Sequence, residues 1–148
     1  MFIRFTSYNS GQNVLKSDKM SLFNSFFGNS GNGDNSQTNI NWIDLTKLSQ
    51  LDEIEQKSSQ DPILIFKHST RCSISRMALK NFEREFDLQN DIAPYFLDLL
   101  EHRDISNEIA NRFQVQHQSP QLLLIQNGNA VYNASHSDID AEKLKKFV

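Results

Sequence analysis

From Trp42 to the C-terminus, short apolar runs alternate with segments of helical period, and this alternation narrows the architecture more than any other feature of the chain. Pro62 opens Ile63-Leu64-Ile65-Phe66-Lys67, a short β-branched and aromatic run that reads as a buried strand. Residues 94–100 read as a second strand and residues 122–125 as a third. The third is followed by Asn127-Gly128-Asn129 and then by Ala130-Val131-Tyr132, and an Asn-Gly between two apolar runs is a strong hairpin signal. Helical periods lie between the strands: Leu45, Leu48, Leu51 and Ile54 within residues 44–57; Ile74, Ala78, Phe82 and Phe86, with Met77 and Leu79 alongside; and Ile105, Ile109, Ala110 and Phe113. A closing helix is expected from about Asp138 through Ile139, Leu144 and Phe147, and a weak first strand around Trp42. Strands joined by crossover helices pair in parallel and the late hairpin pairs antiparallel. The expected class is therefore α/β, a central mixed β-sheet of four to five strands flanked by helices on both faces.

Residues 1–41 depart from this pattern. Asn, Ser and Gly fill 19 of those 41 positions, and four of the five glycines lie there. Such a composition buries too little apolar surface to offset its conformational entropy, so the segment is expected to be largely disordered and the working domain to span residues 42–148. Leu22, Phe23, Phe26 and Phe27 are spaced as one face of a short helix, and Met20 just before them is an alternative start. Native N-terminal peptides from residues 2–18 would exclude that start.

With 38% hydrophobic and 22% charged residues, including 11 Phe, the 148-residue chain supports one core and is not globally disordered. A net charge of −3 offers no basic field for a phosphate backbone, so no nucleic-acid partner is expected. The longest apolar runs fall far short of the roughly 18 residues of a membrane span. Phe2-Ile3 is cut at once by Arg4, unlike a secretory leader. No membrane partner is expected, and a cytoplasmic location is the default.

The chain has one cysteine, Cys72. It forbids an intramolecular disulfide and a structural zinc site built on several thiolates, leaving either an inert thiol or a reactive one. Cys72 falls where the strand hands over to a helix, after His68-Ser69-Thr70-Arg71. The first turn of a helix presents unpaired N–H groups and the positive end of the dipole, which favour a thiolate. Arg71 is adjacent, with Lys67 and His68 just upstream, so the local sequence is cationic. Cys72-Ser73-Ile74-Ser75 is a C-x-x-S arrangement, in which Ser75 has the place of a second sulfur and can donate a hydrogen bond but cannot form a disulfide. The remaining chemistry is a monothiol cycle, in which Cys72 takes an adduct from a mixed disulfide and a second thiol clears it. The bland reading leaves Ser73 and Ser75 on a solvated first turn.

Ser119-Pro120 opens the third strand, where proline is tolerated; on frequency alone an ordinary trans peptide is expected. His68 and His117 flank the two loops just described, while His102 and His136 lie in other connections. No i, i+4 histidine pair or carboxylate company suggests a metal. Asp98 reads either as a buried acid or as the polar end of the second strand. Phosphate loops, nucleophile elbows and stacked aromatic platforms are not found.

Taken together, four runs resemble a known family: Phe66-Lys67-His68-Ser69-Thr70-Arg71-Cys72-Ser73-Ile74-Ser75, Arg103-Asp104-Ile105-Ser106-Asn107, Val115-Gln116-His117-Gln118-Ser119-Pro120-Gln121 and Ser135-His136-Ser137-Asp138-Ile139. The strand order, the Cys at a strand's C-terminal edge and the Pro before a later strand look like the thioredoxin-like fold. More narrowly, from about Trp42 onward the chain is similar to the YtxJ family of monothiol, or type C, bacilliredoxins. Met20-Ser21-Leu22-Phe23 is similar to how such proteins begin.

The resemblance implies that Cys72 removes bacillithiol from S-bacillithiolated client proteins. It implies bacillithiol as a co-substrate, no tightly bound cofactor and a monomer. It also implies a cis Ser119-Pro120 peptide, and a thiol-binding or thiolate-stabilising surface drawn from His68, Thr70, Arg71, Ser73, Ser75, His117, Gln118, Ser119 and Pro120. One departure is Ser73, where the family's Cys-Pro-Ile-Ser pattern has Pro. Its loss frees an N–H after Cys72, which either strengthens thiolate stabilisation or loosens the turn. Two alternatives stay open: a glutathione-using monothiol glutaredoxin-like protein, against which the lack of C-G-F-S counts, and a non-enzymatic binding module with an inert Cys.

Overall fold

The computed structural model describes residues 40–148. The expectations of N-terminal disorder, of a short helix over Leu22, Phe23, Phe26 and Phe27, and of a start at Met20 lie outside the described residues. Ile40, two positions before the expected domain start, is buried in the core.

Five strands form one sheet: β1 (Ile43–Asp44), β2 (Ile63–His68), β3 (Ala93–Asp98), β4 (Gln121–Gln126) and β5 (Asn129–Ser135), in the spatial order β1-β3-β2-β4-β5. β1, β3 and β2 are mutually parallel; β4 runs antiparallel to β2, and β5 antiparallel to β4. Every residue of the central strand β2 is buried, which explains why it reads as a continuous apolar run rather than an alternating one.

Alternate residues of the strands feed two cores. On one face Ile63, Ile65, Leu97, Leu123 and Ile125 pack with Leu51 and Ile54 of α1 (Ser49–Lys57) and with Ile105 and Ile109 of α3 (Arg103–Arg112). On the other, Leu64, Phe66, Leu122 and Leu124 pack with Phe82 of α2 (Ser73–Glu85) and with Phe86, Ala141 and Leu144. Arg112 bonds Asp52 at 2.6 Å and Glu108 at 3.1 Å, pinning α3 to α1 above the first core.

Three elements differ from their sequence pattern. The first helix begins at Ser49 rather than near Asp44, because the backbone just before it is taken by the sheet: Ile43 and Asp44 pair with β3, and Leu45 N–H bonds Phe96 O at 2.8 Å. The Gln50 side chain then satisfies the free N–H groups of Thr46 and Lys47. Leu45 is buried from this strand side, while Leu48 is 46% exposed and shares no buried face with Leu51. In α2 the inward stripe is Ser75, Leu79 and Phe82, so Ile74 and Met77 face out, 61% and 66% exposed. The closing segment forms two 3-10 turns, His136–Asp138 and Ala141–Phe147, the second restarted by Asp140, whose carboxylate accepts from Glu142 N–H at 2.9 Å.

Candidate active site at the Cys72 corner

Cys72 is the N-cap residue of α2, in extended conformation and half-buried. Its N–H closes a turn onto Ser69 O at 3.1 Å, and its own carbonyl accepts the first helical bond, from Arg76 N–H at 3.1 Å. The N–H groups of Ser73, Ile74 and Ser75 therefore have no acceptor within the helix, and they gather beside the cysteine at the positive end of the α2 dipole. Thr70, Arg71 and Ser73 are exposed around it. Among the described residues neither Arg71 nor Arg76 enters an ion pair.

Ser75 is placed differently from the bland expectation. It has no exposed surface, and its hydroxyl accepts from Ser69 N–H at 3.0 Å and pairs with His68 Nδ1 at 2.8 Å. It makes no hydrogen bond to Cys72. His68, counted with the nearby cations in the sequence, is buried against Phe96, with ring centroids 5.5 Å apart. Burial pushes its pKa down, and Arg76 adds to that, against an opposing pull from Asp98. Its neutral form is thereby favoured, so it adds less positive charge to the corner than the sequence suggests.

The pairing register brings a second loop to the same end of the sheet. Lys67 of β2 lies opposite Gln121 of β4. Cys72, five residues beyond Lys67, and Pro120, one before Gln121, therefore leave the sheet at the same edge. The Ser119-Pro120 peptide is cis, as the resemblance implies and against the frequency-based expectation. Pro120 is buried, and its carbonyl accepts from His136 N–H at 3.2 Å. Gln118 is half-buried, with its N–H on Gln121 Oε1 at 3.2 Å. Ser119 Oγ is the one buried side-chain polar atom among the described residues that lacks a partner. His117 is exposed at its rim, yet its Nδ1 lies 2.7 Å from Lys67 Nζ and 3.3 Å from Ser106 Oγ. Burial lowers its pKa first, and Lys67 and Arg103 lower it further.

The corner thus joins His68, Ser75 and Cys72, and the loop opposite carries His117, Gln118, Ser119 and Pro120. Sequence reasoning missed Lys67 and Gln121 as a buried pair and His136 as a neighbour of Pro120. For the first pair a signal existed, a lysine at the end of an apolar strand run and a polar residue opening the next; for His136, whose backbone takes a φ of 54°, the sequence carries none. Asp98 is the polar strand end, its Oδ1 accepting from Leu100 N–H at 3.0 Å. Among the described residues no three His, Cys, Asp or Glu side chains gather as a metal ion would need, and no helix is long and apolar enough to cross a membrane.

With this geometry in place, the comparisons are specific. The sequence model of the family described as monothiol bacilliredoxin BrxC matches residues 43–144. A solved structure described as having a thioredoxin fold is similar at 31% identity and a TM-score of 0.61, covering 70% of this chain and 90% of that one. The thioredoxin of Trypanosoma brucei brucei is similar at 15% identity and a TM-score of 0.57, covering 72% and 89%. Malassezia sympodialis thioredoxin gives 17% and 0.54, covering 70% and 84%. The last two speak for the fold alone, and the five-stranded mixed sheet is a thioredoxin fold.

Proposed function

This chain belongs to the monothiol bacilliredoxin family, with a thiol-redox function, and we propose that Cys72 removes bacillithiol from S-bacillithiolated proteins through a monothiol cycle. The observation that carries this reading is the setting of the single cysteine. It caps α2 beside free first-turn N–H groups, at the sheet end reached by the Pro120 loop, while a buried serine stands one turn on.

In the first step the Cys72 thiolate attacks the bacillithiol sulfur of the mixed disulfide. A bond forms between Cys72 Sγ and that sulfur as the bond to the client breaks. The client cysteine leaves as a thiolate, taking the electron pair of the broken bond and then a proton from water. In the second step a bacillithiol thiolate from solution attacks the bacillithiol sulfur on Cys72, releasing bacillithiol disulfide and restoring the Cys72 thiolate. With one cysteine in the chain the second sulfur must come from another molecule.

The free N–H groups of Ser73 to Ser75 and the charge of Arg71 favour the Cys72 thiolate as attacking and as leaving group. Thr70, Ser73, His117 and Gln118 frame the approach to it, and the unpartnered Ser119 hydroxyl is available to the incoming disulfide. His68 and Ser75 hold the corner from behind. The acting species is a cytoplasmic monomer without a bound cofactor.

Cys72→Ser is expected to reduce removal of bacillithiol from a modified protein to the uncatalysed rate, and mass spectrometry of the wild type should find a bacillithiol adduct on Cys72. Unchanged removal by the variant refutes the reading. An adduct formed in preference from glutathione disulfide refutes its choice of thiol.

A further inference from the structure

Lys67, next to last in β2, has no exposed surface, and its side chain lies on the α1 and α3 side of the sheet. Among the described residues it meets no carboxylate. Its Nζ lies 2.7 Å from His117 Nδ1 and 3.1 Å from Gln121 Oε1. A buried cation without an anion is held against a desolvation cost, and a strand core gains nothing from it that a Met of similar volume would not supply.

Both partners of that ammonium belong to residues 116–121, the loop that carries Pro120 to the Cys72 end of the sheet. Gln121 serves the same segment twice more, accepting from Gln118 N–H at 3.2 Å and donating to Gln116 O at 2.9 Å. An ammonium has three donors and no acceptor, so while Lys67 is charged the Nδ1 of His117 must accept, and the ring carries its proton on Nε2. The cation facing His117 from α3 is Arg103, which also favours this neutral ring. Asp98, the carboxylate at the end of β3, acts on His68 on the other side of the sheet.

We propose that Lys67 is a positioning residue for the Cys72 reaction: through His117 and Gln121 it holds the 116–121 loop in the conformation that receives a mixed disulfide. The proposal rests on Cys72 being the nucleophile. Truncating the ammonium orphans neither partner, because Gln121 Oε1 keeps Gln118 N–H and His117 Nδ1 keeps Ser106 Oγ. What is lost is the tie from the central strand to the loop.

The test compares wild type with Lys67→Met in three measurements. The rate constant toward a protein–bacillithiol mixed disulfide should fall about tenfold, as expected when a reacting group's surroundings are misplaced. Alkylation of Cys72 by iodoacetamide, which needs no docking loop, should stay within about threefold. Amide hydrogens of residues 116–119 and 121 should exchange faster. A parallel fall in both reactions, or unchanged disulfide rate and exchange, overturns the proposal. A wild type that does not act on the mixed disulfide refutes the proposed function instead, and amide exchange alone then decides the tie. Should the variant not fold, ring nitrogen signals of wild-type His117 decide: an accepting Nδ1 that changes as Lys67 loses its proton near pH 8 supports the tie, and a ring indifferent to that range overturns it.

Discussion

Ser75 closes a ring of hydrogen bonds that fixes where Cys72 stands. Its hydroxyl takes Ser69 N–H and meets His68 Nδ1, while Ser69 O receives Cys72 N–H, so strand end, turn and first helical turn are tied together. Ser75 itself has no solvent exposure, and its partners His68 and Ser69 are buried and half-buried, so a donor left unpaired there keeps much of its desolvation penalty. Ser75→Ala is therefore expected to lower stability by about 1–3 kcal/mol, read from urea unfolding. A loss below about 0.5 kcal/mol, the ordinary scatter of surface changes, would show that the hydroxyl does not hold the corner. The same substitution leaves the first-turn N–H groups beside Cys72 in place.

Among the elements, the β4–β5 hairpin shows most plainly how local chemistry builds structure. Asn127 and Gly128 have φ of 50° and 74°, both left-handed, as a type I′ turn requires. The turn is then anchored to the end of α1, Asn127 N–H on Ser58 O at 2.7 Å and Gly128 N–H on Ser58 Oγ at 2.8 Å. A Cβ at Gly128 would meet nothing within 4 Å, so the cost of a side chain there is conformational only. Gly128→Ala should destabilise by about 1 kcal/mol in thermal unfolding, and Gly128→Asn by less, since Asn tolerates this backbone. Equal losses for Ala and Asn would point to a steric cause instead.

This hairpin, β2 and α3 are legible in the sequence because each is decided by neighbours in the chain. The start of α1 is not, because β1 is drawn into the sheet by β3, some fifty residues later. The first turn of α2 misleads for a related reason: Ile74 carries the apolar period, but the bond from Ser75 to His68 turns the serine inward. At the site, the Cys72 corner is legible as a strand-to-helix step. The Lys67 tie is not, since it depends on a strand register that places Lys67 beside Gln121, 54 positions away, and His117, 50 away.

For the molecule as a whole, two buried bases and His117 at the surface shape the pH response. Lys67, His68 and His117 all have pKa values lowered by burial, so each binds its proton more weakly folded than unfolded. Where the unfolded chain binds more protons, stability rises with pH. For the two histidines this window lies below about pH 6.5, and stability is lost as pH falls through it. For Lys67 it runs from about 8 to the ordinary value of 10.5, so the cost of its charge is fully present below pH 8 and relieved toward pH 10. That displacement corresponds to at most about 3 kcal/mol. Lys67→Met removes this contribution; it also removes the Lys67 share of the lowering at His117, which acts only below about pH 6.5, and two hydrogen bonds whose loss shifts the gap equally at every pH. Tyr132, whose pKa burial and Asp140 raise, loses stability above pH 10 in both proteins, and it cancels in their difference because the two sites share no partner. The variant should therefore gain on the wild type most at pH 7, and the gap should close between pH 8 and 10, in urea unfolding at several pH values. A gap independent of pH would mean that Lys67 titrates as it does in the unfolded chain, and that the ammonium on the Pro120 loop carries no desolvation cost.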